Sequence, residues 1–496
     1  MKGHWQHPNQ AVGKDCNLAT NVLEVAGHHF LSWNGYCHSQ QRAGWAIGSH
    51  DEIAGTELEF AFLDGVLHLS FCMSDPLRAS RSTSCEVGSH STRSSVSAAP
   101  YWKRDVAFDF NSQKVHGTNL GGWLVLEPWI TPSIFQAQDG SVVDEYTLTQ
   151  KVPDAANILR RHWDTWVSLA DFQRIAGAGF NTVRIPIGYW AFEKYPGDPY
   201  IMGAQDYLDK AIDWARQTGL KVWIDLHGAP LSQNGFDNSG QRTSTPAWTS
   251  GDTATFTNHV IAQIANKYAV QSYQDVVVAI QLLNEPLLSN IPGGRAATEQ
   301  YYREGFNNVR KVSSTPVVFH DGFAPPQMWN GFLSPTDNNA QNVVVDHHEY
   351  QIFSNDFAAM QPYEHRQFVC NNVASYSQNR DKWLVIGEWT AAMTDCAAAL
   401  NGYGIGARYD GTFPGSTKRG SCENVNFIET WSQTFKDDMR QYVEAQLDVF
   451  ELYSQGWIFW NFKTEASPEW DLYRLLDVGV FPQPLNDRRF GRACSF

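Results

Sequence analysis

Short apolar runs alternate with amphipathic stretches along most of this chain, beginning near Lys114. Stretches such as 204–219 and 427–453 repeat apolar residues at three- and four-residue spacing, which predicts helices. Between such stretches, eight nearly continuous apolar runs end in polar residues, which predicts buried strands. These runs start at Lys114, Asn181, Lys221, Val276, Thr315, Asn342, Lys382 and Gly456. The alternation predicts an α/β fold with a parallel sheet, and eight strands predict a (β/α)8 TIM barrel.

A doubly wound open sheet would show the same alternation and is the main alternative fold. Such a sheet usually carries a glycine-rich phosphate-binding loop after its first strand. The corresponding segment, GTNLGG at 117–122, lacks the G-x-G-x-x-G spacing, and no P-loop lysine follows it. The sequence therefore favours the barrel.

The first hundred residues have a different character. A serine-rich polar segment at 75–100 is typical of a linker, and ELEFAFLDGVLHLSF before it predicts a hairpin. We expect residues 1–104 to be a poorly ordered extension of unknown role, either a pro-segment or an error in the gene model. The dibasic pair Lys103-Arg104 is a candidate processing site. Residues 105–496 are the predicted catalytic domain.

Two predicted strands lead into a glutamate. AIQLLNEPLL at 279–288 runs into Glu285, and KWLVIGEWTA at 382–391 runs into Glu388. Polar residues at the carboxyl ends of barrel strands point into the mouth, where barrel active sites lie. Strands 4 and 7 lie across the barrel from each other, so both carboxyls can face one ligand. Glycoside hydrolysis needs such a pair, with Glu285 as the acid/base and Glu388 as the nucleophile.

The NEP triplet after strand 4 and the glutamate after strand 7 resemble glycoside hydrolase family 5. Six further segments resemble the fungal exo-β-1,3-glucanases of that family: GTNLGGWLVLEPWITPSIF, NTVRIPIGYWAF, DLHGAPLSQNGFDNSG, HHEYQIFS, TDCAAALNGYGIGARYDGTF and GWIFWNFKTE. The resemblance runs from about residue 105 to the C-terminus and leaves out the first hundred residues. It implies a retaining enzyme that releases glucose from the non-reducing ends of β-1,3-glucan in cell-wall metabolism, with transglycosylation as a side reaction. An endo-β-1,3-, β-1,6- or β-1,4-glucanase on the same scaffold remains open, because specificity resides in the loops.

The resemblance also implies roles for polar residues at other strand ends. Arg184 would lie beside the nucleophile and keep it ionised. Asn284 would bind the sugar 2-hydroxyl, and Tyr350 would donate a hydrogen bond to the nucleophile. His227 and His348 would bind sugar hydroxyls and hold the carboxylates in place, and Trp460 would form the floor of the sugar site.

Loop residues would complete the pocket. The resemblance places Glu127 and Trp129 at its closed end, although the relatives carry Tyr where this chain has Trp129. Phe236 and Phe353 would clamp the next glucose at the entrance. Asp237 and Asn238 match polar residues near that same end.

The eight cysteines form no C-x-x-C pair, which disfavours a zinc ribbon or a thioredoxin motif. The resemblance implies the disulfides Cys370–Cys494 and Cys396–Cys422. Disulfides imply an oxidising compartment, and hence secretion to the medium or the cell wall. The N-terminus shows no apolar signal-peptide core, so this expectation depends on the cysteines alone.

Charge and composition limit the classes of molecule that this protein could bind. A formal net charge of −15 disfavours nucleic acid and anionic membrane surfaces, and no apolar run is long enough to span a bilayer. Nineteen Trp suit either a large core or sugar stacking. A metal-dependent hydrolase is the other enzymatic alternative, because DHHEY at 346–350 could supply zinc ligands. Its two adjacent His would point to opposite faces of a strand, so we expect no metal and no cofactor. We expect a monomer that binds β-1,3-glucan.

Overall fold

Eight parallel strands close into a barrel in the C-terminal part of the chain. The computed structural model describes residues 108–377 and 380–494, together with five strands nearer the N-terminus. The barrel strands are β1 Val115–Asn119, β2 Thr182–Gly188, β3 Lys221–Gly228, β4 Val277–Gln281, β5 Val317–His320, β6 Val343–Glu349, β7 Trp383–Trp389 and β8 Gly456–Phe459. They pair in sequence order, and β8 pairs with β1. The predicted (β/α)8 fold is confirmed.

Helices cover most of the crossovers between the strands. Their bounds are α1 Pro132–Gln136, α2 Glu145–Lys151, α3 Ala155–Trp166, α4 Leu169–Gly177, α5 Ala204–Thr218, α6 Thr253–Tyr268, α7 Gly294–Arg310, α8 Pro362–Asn371, α9 Val373–Ser377, α10 Gln433–Tyr453 and α11 Leu472–Asp477. The crossover from β5 to β6 carries only a 3-10 turn, Pro326–Trp329. Long amphipathic helices such as α5 pack their apolar face on the strands, which are buried on both sides.

Apolar side chains fill the lower half of the barrel and seal its amino-terminal end. Phe108 and Phe110, just before β1, pack in one cluster with Trp223 and Val385 from the strands. The ring of Phe110 also stacks on Trp383, with ring centroids 5.2 Å apart. The barrel is therefore closed below and open only at the carboxyl ends of its strands, where polar residues gather.

The chain divides into two units, Met1–Pro100 and Tyr101–Phe496. In the first unit, Asn17–Val25, His28–Tyr36 and Gly44–Ile47 form an antiparallel sheet. Thr56–Leu63 and Val66–Met73 form the hairpin that the sequence predicts. The serine-rich segment 75–100 and the processing pair Lys103-Arg104 lie outside the described residues. Most of the extension that we expect to be poorly ordered lies outside them as well.

Two disulfides join distant parts of the barrel unit. Cys370 in α8 pairs with Cys494, and Cys396 pairs with Cys422 in the loop between β7 and α10. Both pairings were implied by the family resemblance and are confirmed. Among the helices that the structure describes, none is long and apolar enough to cross a bilayer.

Candidate active site

Both predicted catalytic glutamates lie at the carboxyl ends of their strands. Glu388 is part of β7, whereas β4 ends at Gln281 and Glu285 follows in the next turn. Both carboxyls are buried. Nδ1 of His348 joins them, at 2.7 Å from Oε1 of Glu285 and 3.3 Å from Oε2 of Glu388. Because both distances end on one nitrogen, the two oxygens lie no farther apart than about 6 Å.

The backbone that carries Glu285 is held in an uncommon conformation. Its φ of +43° lies in the left-handed region, which costs a residue with a side chain roughly 1–3 kcal/mol. Gln233 holds this turn, because its amide donates to the carbonyl of Asn284 at 3.0 Å and to that of His227 at 2.8 Å. The strand therefore ends at Gln281, and the turn that follows directs Glu285 into the mouth.

Arg184 lies at the centre of the site, fully buried in β2. Its guanidinium donates to Oε1 of Glu388 at 2.8 Å and to Oδ1 of Asn284 at 2.7 Å. Two further bonds, to Asn119 and Gln281, are each 2.9 Å long. Burial acts to lower the pKa of Arg184, but the surrounding carboxylates raise it above its ordinary value. A fixed positive charge therefore lies against Glu388.

Two Asp-x-His pairs on β3 and β6 flank Arg184. Asp225 precedes His227 by two residues and Asp346 precedes His348 by two, so each pair shares one face of its strand. Nδ1 of His227 lies 2.5 Å from Asp225, and Nε2 of His348 lies 3.0 Å from Asp346. The same aspartates lie 3.1 Å and 3.7 Å from Nη2 of Arg184. They orient the groups that in turn hold the two glutamates.

Each catalytic carboxyl accepts one more hydrogen bond from the side of the open mouth. The hydroxyl of Tyr350 donates to Oε2 of Glu388 at 2.8 Å. The amide of Asn238 donates to Oε2 of Glu285 at 3.0 Å. Both carboxyls are thereby fixed by neighbours on at least two sides, as catalysis by preorganised groups requires.

The pKa directions of the two glutamates in the free protein run against their assigned roles. Burial raises the pKa of Glu388, with repulsion from Glu285 acting the same way and the charges of His348 and Arg184 opposing it. Burial would also raise the pKa of Glu285, but the hydrogen bond and charge of His348 lower it overall. A nucleophile must be ionised and an acid protonated, so these pKa directions do not support the assigned roles of Glu388 and Glu285. The roles depend on the positions of the two residues at the strand ends.

His348 is coupled to both glutamates. Burial acts to lower its pKa, but Glu388, Asp346 and Glu285 together raise it well above the ordinary value. Its Nδ1 lies near both glutamates, and the interaction with His348 lowers the pKa of each. Arg184 contacts only Glu388 of the two glutamates, and this contact favours its ionised form.

A cavity of about 850 Å³ opens above the two carboxyls. The predicted residues that line it are Glu127, Trp129, Phe236, Asp237, Asn238, Glu285, Tyr350, Phe353, Glu388 and Trp460. Arg184 and His348 lie behind this wall and bond Glu388 and Glu285 in it. Asn284 and His227 lie behind it as well, bonded to Arg184 and Asp225. The structure thus brings all the predicted site residues together around one cavity.

Trp460 forms the floor of the cavity. Its ring lies parallel to that of His227, with centroids 5.7 Å apart and planes 7° from parallel. Gly121 lies directly beneath it, and a Cβ there would come within 2.7 Å of the indole. Gly121 of the GTNLGG segment therefore allows the backbone to pack closely against Trp460. This packing, and not phosphate binding, explains the glycine.

Glu127 and Trp129 both line the cavity. The Trp129 indole donates to Oε2 of Glu127 at 2.9 Å, and its ring packs on Trp470 at 4.9 Å. Burial and the nearby Asp237 raise the pKa of Glu127 well above its ordinary value, and burial raises the pKa of Asp237 to about 7. Phe236 and Phe353 lie at the rim, each 45% exposed.

Within the described residues, one group of three could hold a metal ion: Glu285, His320 and His348. The hydrogen bonds of His320 oppose this. Its Nδ1 accepts the N–H of Gly322 at 2.9 Å, so its proton lies on Nε2, the atom a metal would need. His347 points to the other face of β6 and bonds Asp321 at 2.5 Å. The donor set is therefore poorly suited to zinc.

Two fungal proteins with the same name are similar in sequence to most of this chain. A "Glucan 1,3-beta-glucosidase" of Blumeria graminis is 49% identical over 408 residues, which is 81% of this chain and 94% of that protein. The chain belongs to glycoside hydrolase family 5. Another "Glucan 1,3-beta-glucosidase", from Yarrowia lipolytica, is 47% identical to this hydrolase over 399 residues, 79% of this chain and 94% of that protein.

The family model itself, "Cellulase (glycosyl hydrolase family 5)", matches residues 157–403 of this hydrolase. Among solved structures, the rutinosidase of Aspergillus niger superposes with a TM-score of 0.61 at 20% identity, covering 76% of this chain and 99% of that one. At that identity the likeness supports the fold alone.

Sequence reasoning missed the residues that position the catalytic groups in this family 5 hydrolase. Asp225, Asp346 and Gln281 stand inside apolar strand runs. The two-residue spacing from His227 and His348 marks the two aspartates as facing the mouth, and no such spacing marks Gln281. No sequence pattern marked Gln233 or Asn119 as a residue of the site. A second missed set comes from the long loop after β7: Leu400, Asn401, Gly402, Ile405, Arg408 and Phe413 all line the cavity.

Proposed function

We propose that this family 5 glycoside hydrolase is a retaining exo-β-1,3-glucanase that releases glucose from the non-reducing ends of β-1,3-glucan. In the first step Glu388 attacks the anomeric carbon, and Glu285 gives a proton to the departing glycosidic oxygen. A covalent glucosyl-enzyme forms as the bond to the rest of the glucan breaks. In the second step Glu285 takes a proton from water, which attacks the same carbon and frees Glu388.

The shared contact with His348 carries the retaining assignment. Retaining glycosidases hold their carboxyls about 5–5.5 Å apart, and inverting ones about 6.5–9.5 Å apart to admit a water. The two glutamate oxygens that face His348 lie within about 6 Å of each other, which supports the shorter, retaining separation. A glucosyl-enzyme can also react with a sugar hydroxyl, so transglycosylation is part of the proposal.

The neighbours of Glu388 suit the charge changes of the first step. Arg184 and Tyr350 donate to its two oxygens and favour the carboxylate before attack. As Glu388 becomes an ester it loses its charge, which removes repulsion from Glu285 and favours ionisation of the acid. Asn284, held by Arg184 behind the wall, is the proposed partner of the 2-hydroxyl.

Two features support exo action on β-1,3-glucan. Glu127 and Trp129 line the cavity and bond each other, and the proposal places the terminal sugar against them. The exposed rings of Phe236 and Phe353 at the rim suit the sugar on the other side of the bond. The relatives named "Glucan 1,3-beta-glucosidase" support the linkage.

Proton NMR of an early laminarin digest tests the proposal. We expect β-glucose as the first product, with α-glucose appearing only later by mutarotation. Initial α-glucose would overturn the retaining mechanism. Early oligosaccharides without glucose would overturn exo action and favour an endo-β-1,3- or β-1,6-glucanase instead.

We also propose that residues 105–496 form the catalytic domain of a secreted, monomeric enzyme of cell-wall glucan metabolism. The two disulfides support an oxidising compartment. The described strands of the first unit contribute none of the candidate site residues. A chain that begins at Asp105 should therefore hydrolyse laminarin as fast as the full chain, and a large loss of rate would show that the extension is needed.

A further inference from the structure

The loop between β7 and α10, residues 390–432, is far longer than the other loops at the mouth. Its middle part is closed by the Cys396–Cys422 disulfide, which spans a sequence separation of 26. We call residues 396–422 the strap. The six cavity-lining residues of this loop, from Leu400 to Phe413, all lie within the strap.

The strap reaches across the mouth of the barrel. In the order β7-β8-β1-β2-β3, strands β7 and β3 lie on opposite sides of the closed sheet. Arg242, in the loop after β3, donates from Nη1 to the carbonyl of Tyr403 in the strap at 2.9 Å. The Tyr403 ring also lies 6.2 Å from that of Phe135 in α1, after β1. The strap therefore spans the mouth from the β7 side to the β3 side.

The strap also packs beside Trp129, whose indole bonds Glu127 in the cavity wall. Trp129 packs in one apolar cluster with Trp460 and Ala397, and Leu400 packs against that cluster. A glucan chain that continued past the terminal sugar would have to pass through this region. The strap therefore occupies the path that an internal segment of glucan would need.

The strap is rigid at its base. Asp395, buried just before the disulfide, accepts the N–H groups of Arg408 at 2.8 Å and Tyr409 at 3.0 Å. It also accepts from the amide of Asn401 at 3.0 Å and from Nη1 of Arg408 at 3.2 Å. These four bonds hold three residues of the strap against Asp395, beside the disulfide. The bond from Arg242 joins it to the loop after β3.

We propose that the strap decides between exo and endo cleavage, and that Arg242 is the residue that fixes its position. With the Arg242–Tyr403 bond in place, the cavity accepts only a chain end. Without it, the strap can move aside and the cavity becomes a cleft open at both ends, which admits internal bonds. This inference depends on the proposed exo action, which it explains.

A β-1,3-glucan with blocked non-reducing ends tests the strap directly. Periodate cleaves vicinal diols, which a linear β-1,3-glucan carries at its non-reducing terminal sugar but not at its internal sugars. Oxidation followed by borohydride reduction thus removes the substrate of an exo enzyme and leaves internal bonds intact. New reducing ends then report endo cleavage alone, and glucose release from untreated glucan reports exo cleavage.

Four variants give the contrast. Arg242→Ala removes the bond, and Arg242→Lys keeps a cationic donor beside Asp237. Cys396→Ser with Cys422→Ser frees the base of the strap. Arg303→Ala removes an arginine that bonds Asp337 away from the mouth, and it serves as the matched control. Circular dichroism and thermal unfolding establish that each variant is folded.

We expect Arg242→Ala and the double cysteine variant to raise the endo-to-exo ratio about tenfold or more, as loss of a charge-assisted hydrogen bond allows. Arg242→Lys and Arg303→Ala should resemble the parent enzyme. If the folded variants cleave blocked glucan no faster than the parent, the role of the strap is wrong. If the parent itself cleaves blocked glucan as fast as untreated glucan, the proposed exo function is wrong, whatever the variants do.

Discussion

Replacement of Tyr350 by Phe isolates one hydrogen bond to the nucleophile. The Tyr350 hydroxyl donates to Oε2 of Glu388 at 2.8 Å, and its ring lies between Phe353 and Trp470, with centroids 5.7 Å and 5.6 Å away. Phe keeps the ring and those contacts, so only the donor is lost. Arg184 still holds the other oxygen of Glu388. The change should therefore weaken catalysis without moving the site.

The expected size follows from the charge on the acceptor. A hydrogen bond to an ionised group contributes about 1.5–3 kcal/mol, which converts to a loss of about 10- to 150-fold in kcat/KM. The sign of the pH effect is also fixed. The hydroxyl favours the ionised carboxylate, so its removal raises the pKa of Glu388, and the acid limb of the kcat/KM profile moves to higher pH.

Initial rates on laminarin across pH, for Tyr350→Phe and the parent, measure both effects. Tyr473→Phe is the matched control, because its hydroxyl also contacts a carboxylate, that of Asp171 at 3.3 Å, but outside the mouth. The control should lose some thermal stability and keep the pH profile of the parent. An acid limb that stays in place for Tyr350→Phe, with a rate loss under about twofold, would refute the assignment of Glu388 as the ionised nucleophile.

Three further outcomes are expected. Glu285→Gln should slow hydrolysis of glucan by about 100-fold or more, but much less for an aryl glucoside whose leaving group needs no acid; equal losses on both would contradict the acid role. Trp129→Phe, which removes the indole donor to Glu127, should raise KM for laminarin by about 2- to 12-fold with little change in kcat; an unchanged KM would show that Glu127 needs no such support. Cys370→Ser with Cys494→Ser should lower the free energy of unfolding by about 2–5 kcal/mol in urea melts while kcat is retained, and a loss of kcat in the folded variant would tie this disulfide to the site.

The fold could be predicted because parallel barrel strands are buried on both faces. Such strands appear in the sequence as continuous apolar runs, and each ends where polar residues turn into the mouth. Glu285 and Glu388 stood out for that reason. The strand ends were less certain: β4 stops at Gln281, and the turn that carries Glu285 depends on hydrogen bonds from Gln233, a residue distant in sequence.

The supporting residues could not be found from the sequence, because their role depends on which face of a strand they occupy. Asp346 and His347 are neighbours in the chain, yet the first holds His348 beneath the cavity and the second bonds Asp321 on the other face. The strap escaped prediction for another reason. The family resemblance marks residues 394–413 without giving them a role. Their place across the mouth depends on the contact with Arg242, which joins two loops about 160 residues apart.

The buried charged residues of the site depend on one another for their stability. Arg184 is fully buried among the carboxyls of Asp225, Asp346 and Glu388, and His348 adds a second positive charge. Removal of one partner from such a set leaves another charge unpaired, at a cost of about 3–5 kcal/mol, whereas removal of both partners costs less than the sum. The charged residues behind the cavity therefore act as one unit. Their single and double variants should be strongly non-additive, both in stability and in the rate at which Glu388 is glycosylated.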